Sequence, residues 1–331
     1  MSGARAGWSG VRSGLAFTAL GLLILIALAV WADVALADLW RAARRIRWWE
    51  FLIFAVMQGG VLILAAWKWR LILRRLPGSA TAEGATPAKG CGAGIPMRDA
   101  VSATTLGTLA GQVLPIQVAT PVIRTLAARR HGIAPARALG TSIFEQVFEV
   151  IVLAVMAALS AMILVLGINS GQAAVLALAA VAIVTGLLPQ MLHLGAWGLR
   201  FLPLGRFGAT LADGFSRAAT LPRDALAVLT LLSFARYLLL VGFSVWCLYR
   251  LLPGIDPVPL VLAFPVILAI VSLPFIPAGL GLVEMSWAGV LAAAGVGVGE
   301  AAVAVIVLRL VGIASFLVTV PFLTGSRSGV S

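Results

Sequence analysis

Five charged residues lie inside long apolar stretches of this sequence: Glu145, Glu149, Arg236, Glu284 and Arg309. Placing an ionisable side chain at the centre of a membrane costs about 2.5–3.5 kcal/mol on insertion scales, so such residues face a partner or a cavity rather than lipid. Glu145 and Glu149 are four residues apart and therefore project from one face of a helix. The sequence thus predicts either ion pairs among these residues or a site for a charged ligand.

The apolar stretch before Glu284 is broken by four residues that disfavour a continuous helix: Pro274, Pro277, Gly279 and Gly281. An earlier and more polar stretch, 99–123, contains Pro115 and Pro121. Irregular backbone at membrane depth survives only where protein or a water-filled cavity satisfies its polar groups, and many transporters build their sites from broken helices near the midplane. Both 99–123 and 258–294 are therefore predicted to be re-entrant units.

The composition excludes a soluble globular protein. Hydrophobic residues make up 61% of the 331 residues and charged residues 11%, and the mean hydropathy is +1.07. The net charge of +12 comes mostly from basic residues that flank apolar stretches, where they set membrane topology, so nucleic acid is not expected as a partner. Two cysteines and two histidines form no metal or redox spacing, and we expect no metal and no cofactor.

The apolar stretches predict an all-α polytopic membrane protein with a single transmembrane domain over residues 1–331. Stretches near the roughly 20 residues that a spanning helix needs give about six full spans: 15–32, 51–67, 138–166, 173–194, 225–251 and 300–322. Residues 33–50 are predicted to form an amphipathic interfacial segment, and residues 76–98, which have no periodicity, a flexible cytoplasmic loop.

The distribution of basic residues predicts the orientation. If both broken units are re-entrant and the N-terminus is cytoplasmic, most of the 24 Lys and Arg residues lie on the cytoplasmic side, as the positive-inside rule requires. Lys68 belongs to this set as part of the aromatic and basic anchor Trp67–Arg70, and Arg124 as part of the basic flank after 99–123. The prediction is a protein of the cell inner membrane with both termini in the cytoplasm.

An inverted repeat follows from one broken unit entering from each side of the membrane. The pattern Pro115, Gly132, Ala138 and Gln146 recurs as Pro277, Gly295, Ala301 and Arg309 with spacings that agree within one residue. We therefore expect a first half-repeat at about 99–166 and a second at about 258–322. In a chain this rich in Gly and Ala, such spacing also arises by chance.

The same residues carry a resemblance to a known family. The first half has a Leu-Pro before a basic patch, then His131-Gly132-Ile133, Ala138 and Glu145; the second half has Pro277-Ala-Gly-Leu-Gly281, Glu284 and Leu308-Arg309. At these positions the chain resembles the transmembrane domain family of lysylphosphatidylglycerol synthetases, the membrane half of the bacterial multiple peptide resistance factor and its stand-alone relatives. The resemblance covers about residues 15–325.

The resemblance implies movement of lipid between leaflets. Two departures affect the first half: Gln146 stands where the family usually has Arg, and Ala119 and Thr120 stand where it has glycines. They leave the substrate open. The soluble aminoacyl-transferase domain of full-length members has no counterpart in the sequence, so synthesis of lysyl-lipid is not implied.

The residues support transport of a phospholipid or another polar-headed lipid, with guanidinium groups for phosphate and carboxylates for a cationic head group or for protons. Seven residues form the predicted substrate site: Arg124, Glu145, Gln146, Glu149, Arg236, Glu284 and Arg309. No phosphate-binding GxxxxGK[ST] motif and no catalytic motif are present. The alternative is a membrane enzyme or accessory subunit that acts on a lipid-linked substrate. A second copy of the chain or a lipid-modifying enzyme is left open as a partner.

Two geometric expectations follow. Glu145 and Glu149 should line a cavity rather than face lipid. Glu284 and Arg309 should lie close together, because each is a similar number of residues from the Gly295–Gly299 turn and a helix rises about 1.5 Å per residue.

The re-entrant units can be tested by cysteine labelling. In a background that carries Cys91→Ser and Cys247→Ser, the variants Lys89→Cys and Arg130→Cys should react with a membrane-impermeant maleimide from the same side of the membrane. Labelling from opposite sides would mean that 99–123 crosses the membrane, and the inverted repeat would be lost.

Overall fold

The computed structural model describes residues 34–76, 94–112, 114–166, 219–271 and 281–324, with Val30 and scattered positions between 175 and 216. Within these ranges the chain is helical and no strand occurs. The helices are α1 (Leu36–Ala43), α2 (Trp48–Arg75), α3 (Met97–Ala110), α4 (Ile116–Arg129), α5 (Pro135–Leu166), α6 (Arg223–Leu251), α7 (Pro257–Val271), α8 (Leu282–Ala293) and α9 (Val298–Thr324).

Four helices of the described chain are long and apolar enough to cross a membrane: α2, α5, α6 and α9. The predicted all-α membrane fold is therefore confirmed. The spans expected at 15–32 and 173–194 lie wholly or largely outside the described residues, as does most of the loop 76–98. The count of six spans stays a prediction.

The predicted unit 99–123 consists of two short helices that pack against each other, α3 and α4. Each has 14 residues and is about 21 Å long, which is less than the roughly 30 Å thickness of the hydrocarbon core. Pro115 is the N-cap of α4, so the predicted break is real, but Pro121 lies inside α4 and does not end it. Neither helix alone is long enough to cross the hydrocarbon core, and the re-entrant topology stays a prediction.

The second broken unit has the same pairing of short helices, because α7 packs against α8. Gly281, at the N-cap of α8, has a φ of +83°, a conformation that glycine adopts without steric cost. Three other residues of the predicted break, Pro274, Pro277 and Gly279, lie outside the described residues.

The turns that follow α4 and α8 are alike. Gly132 and Gly295 both have positive φ, +72° and +86°. In each turn the next residue donates its backbone N–H to a carbonyl five residues earlier, from Ile133 to Ala128 and from Val296 to Leu291. This is the hydrogen bond of a Schellman cap. The spacing pattern that suggested a repeat thus corresponds to two turns of the same conformation.

Helix α2 is the common neighbour of the two halves. It contacts α3 and α5 of the first half, α9 of the second, and α6. Apolar residues of α2, α3, α4 and α5 form a small core around Trp69 and Ala138. A larger core joins α5 and α6 to α7, α8 and α9. Polar side chains on α2 therefore lie within reach of both halves.

The second predicted span, 51–67, is part of a longer helix. Helix α2 continues to Arg75, and Trp69 is fully buried instead of lying in an interfacial anchor. Lys68 is also fully buried, so its ammonium group is not exposed as an interfacial anchor would be. Residues 68–75, which include the apolar Leu71 to Leu73, extend the helix by about two turns beyond residue 67.

Close contact between α3 and α4 depends on Gly107, since a Cβ atom there would lie 2.9 Å from the Cα of Thr120. Gly107→Ala should lower the free energy of unfolding by about 1–3 kcal/mol, the usual cost of overpacking. Gly289→Ala is the matched control, because no atom lies within 4 Å of the added Cβ. Thermal unfolding in one detergent compares them; equal midpoints would show that α3 and α4 do not pack this closely.

Candidate functional site

Lys68 lies between the two glutamates of α5. Its ammonium group forms an ion pair with Glu149 and lies 3.7 Å from Oε1 of Glu145. It also donates a hydrogen bond of 3.1 Å to Oγ of Ser233 on α6. A single buried lysine therefore connects α2, α5 and α6.

Arg124 brings α4 into the same cluster. Its guanidinium forms an ion pair with Glu145, donates from Nε to Oγ1 of Thr104 at 3.1 Å, and lies 5.0 Å from the centroid of the Trp69 ring. Arg124 is 2% exposed, so its guanidinium lies inside the protein and not on an exposed basic flank. Its role as a substrate-binding residue stays a prediction.

Arg236 completes the cluster from α6. Its Nη1 lies 3.1 Å from Oε2 of Glu149. The other oxygen of that carboxylate, Oε1, accepts a 2.9 Å hydrogen bond from Oγ of Ser233. The five charged side chains, which we call the Lys68 cluster, are Lys68, Arg124, Glu145, Glu149 and Arg236. Glu145 and Glu149 thus face basic side chains of neighbouring helices.

The Lys68 cluster has three basic side chains and two carboxylates. Each arginine has its own carboxylate, Arg124 with Glu145 and Arg236 with Glu149, and Lys68 approaches both glutamates. Within the cluster, three cations thus face two anions. Because buried charges are stable only when they are compensated, each of the two glutamates stabilises more than one cation.

The second half holds the ion pair that its spacing predicted. Arg309 Nε lies 3.5 Å from Oε1 of Glu284, which confirms that the two residues are close. The other carboxylate oxygen accepts a 2.7 Å hydrogen bond from the backbone N–H of Gly281. Glu284 is 1% exposed and is therefore fixed at the start of α8.

A cavity of about 230 Å³ opens beside this pair. Its walls are mostly aromatic and aliphatic, and they include Phe243, Phe264, Trp287 and Phe316. Its polar lining comes from Glu284 and Arg309 together with Gln58, Thr108, Gln112 and Ser244. We call it the Arg309 cavity. Glu145 and Glu149 are not part of its lining, so their predicted place in a cavity wall is not observed here.

Comparison with known protein families shows which family the chain belongs to. A family model described as "Lysylphosphatidylglycerol synthase TM region" matches residues 18–320. The chain belongs to this family. A search of curated proteins found no match. The protein is therefore a membrane protein related to lipid modification or transport.

The two halves of this family member carry ion pairs of opposite polarity. In the first half the short helix α4 supplies the arginine, Arg124, and the long helix α5 the glutamate, Glu145. In the second half the short helix α8 supplies the glutamate, Glu284, and the long helix α9 the arginine, Arg309. Gln146, which replaces the usual arginine of the family, is half-buried on α5 beside Glu145.

Sequence reasoning missed two charged residues on α2. Lys68 was assigned to an interfacial anchor, and Glu50 was not considered. Glu50 is 2% exposed and lies 2.7 Å from Nε of Arg250 on α6. A usable signal was present for Lys68, since the apolar residues after it continue the helical pattern of α2. Among the described residues, no group of three His, Cys, Asp or Glu side chains could hold a metal ion.

The charge imbalance of the Lys68 cluster predicts which member is hardest to replace. Glu145→Gln should lower the free energy of unfolding by about 3–5 kcal/mol, the usual cost of leaving a buried charge uncompensated. Lys68→Met should cost less, because two complete Arg–Glu pairs remain. Thermal unfolding of both variants in the same detergent measures the order; a larger loss for Lys68→Met would contradict the assignment of charges.

Proposed function

We propose that this protein moves a phospholipid or another polar-headed lipid between the two leaflets of the membrane. The observation that carries the proposal is the Arg309 cavity. It combines apolar walls, which suit lipid, with one arginine–glutamate pair at its polar end. The membership of the chain in a lipid-related membrane family supports the same function.

The size of the cavity favours a head group as the part that enters. Its volume of about 230 Å³ is below the roughly 300–1,000 Å³ of pockets that enclose a whole drug-sized ligand. We infer that the head group occupies the polar end and that the acyl chains stay in the bilayer. The polar side chains Gln58, Gln112 and Ser244 would replace part of the water that the head group loses.

Exchange of partners on Arg309 provides the step that holds the lipid. A guanidinium binds phosphate with two parallel hydrogen bonds, whereas the present contact to Glu284 is 3.5 Å long. A lipid phosphate can therefore compete with the glutamate for the arginine. A cationic part of a head group would meet the carboxylate instead.

The fold is suited to access from both sides. We infer that the α3–α4 and α7–α8 pairs are re-entrant units of an inverted repeat, because their helices are short, packed in pairs, and followed by turns of the same conformation. The positive-inside distribution supports an inner-membrane protein with cytoplasmic termini. In such a repeat each half would control access from one side.

Transport by purified protein in liposomes tests the proposal. Arg309→Gln should slow the movement of a fluorescent phospholipid at least about tenfold, since a charge-assisted hydrogen bond contributes roughly 1.5–3 kcal/mol and 1.4 kcal/mol corresponds to a factor of ten. The matched control is Arg75→Gln, which removes an arginine from an exposed pair with Asp224 and should leave the rate unchanged.

Two outcomes would contradict the proposal. If wild-type liposomes move lipid no faster than empty ones, the protein is not a transporter under these conditions and the proposal fails. If the lipid is chemically altered instead, as detected by mass spectrometry, the enzyme alternative replaces it.

A further inference from the structure

We propose that a second cavity, at the C-terminal end of α6, binds the head group of a zwitterionic phospholipid that carries both a phosphate and an amine. This inference rests on the proposed lipid transport and extends it. In this proposal the second cavity is a binding site at the membrane surface for lipid that enters or leaves the Arg309 cavity.

The second cavity has a volume of about 260 Å³ and lies between α1, the end of α6 and the start of α9. We call it the Arg45 cavity. Four charged residues contribute to its lining: Asp38, Arg41, Arg45 and Glu300. Unlike the Lys68 cluster, which is closed by its own ion pairs, these charges surround open space.

Arg45 is held in place at the wall. Its guanidinium donates a hydrogen bond to the carbonyl oxygen of Leu251, which is one of the last residues of α6. A guanidinium has five N–H donors in a planar fork, so one bond to the backbone orients the group and leaves capacity for a phosphate. Arg41 forms an exposed pair with Asp38, and exposed pairs of this kind are weak enough to exchange partners.

The position of α1 suits the surface of a membrane. Leu36 is 82% exposed and Trp40 60% exposed, and Trp48 at the start of α2 is exposed as well. Tryptophan is enriched at the level of lipid head groups. A cavity beneath this helix therefore opens where head groups lie.

The two cavities are consecutive along α9. Glu300 and Ala304 line the Arg45 cavity, and the next residue, Val305, begins the lining of the Arg309 cavity. From Glu300 to Arg309 is nine residues, or about 14 Å along the helix. The two cavities thus lie one after the other along one helix, which is the path that the proposal assigns to the head group.

The charges of the Arg45 cavity select the class of lipid. Two arginines and two carboxylates balance each other, so a ligand with both charges satisfies the lining without leaving a net charge. A purely anionic head group would bind the arginines but face the carboxylates, and like charges disfavour each other. The geometry therefore points to a phosphate with a neighbouring amine.

Photocrosslinking in nanodiscs tests the site without requiring transport. The probe is a phosphatidylethanolamine with a diazirine near the top of one acyl chain, and crosslinked peptides are mapped by mass spectrometry. In the wild type we expect crosslinks to α1 and the start of α9. Arg45→Gln should reduce them about tenfold, the change expected from one lost charge-assisted hydrogen bond. Glu300→Gln should reduce them as well, through the amine.

Arg44→Gln is the matched control. Arg44 lies on the same segment but stacks over Trp40 and does not contribute to the cavity lining, so its replacement should leave crosslinking unchanged. Equal crosslinking in Arg44→Gln and Arg45→Gln overturns the site. Stronger crosslinking of the corresponding phosphatidylglycerol probe overturns the zwitterionic class.

Different results would reject the proposed lipid transport and the proposed Arg45 cavity site. Crosslinks at α1 in a protein that moves no lipid would retain the Arg45 cavity as a lipid site and reject transport. Transport that proceeds in Arg45→Gln at the wild-type rate, with crosslinks unchanged, would retain transport and reject this cavity as a binding site.

Discussion

Mutual compensation of the charges in the Lys68 cluster is the constraint on which the first half of the protein depends. Ion pairs in an apolar environment are stable only if each charge is compensated, and here two glutamates of α5 compensate cations from α2, α4 and α6. Four helices are therefore fixed relative to one another by one group of side chains. The packing of Trp69 and Ala138 nearby completes the same junction.

The second half also has an ion pair between a short helix and a long one, but this pair lies beside a cavity. Its ion pair has one arginine and one glutamate, and it borders open space instead of closing it. The difference between the halves is thus one of charge number and cavity, while the turns at Gly132 and Gly295 keep the same conformation.

The sequence predicted much of the second half and less of the first, for a physical reason. Glu284 and Arg309 are separated by one tight turn, so counting residues on two antiparallel helices was sufficient to bring them together. Lys68 meets Glu149 across a long separation in the chain, and a basic residue beside tryptophans is equally typical of a membrane interface. Periodicity gives the position of a residue along its helix but not the depth of that helix or the partner that it faces.

The carboxylate of Glu284 has a separate partner for each oxygen. One oxygen contacts Arg309 and the other accepts the backbone N–H of Gly281. If the contact with Arg309 opens, the hydrogen bond from Gly281 still holds Glu284 at the start of α8, so the carboxylate does not become an isolated charge. The ion pair can then form again without a change in α8, because the carboxylate stays in position. The hydrogen bond at the start of α8 thus keeps Glu284 in the position from which it pairs with Arg309.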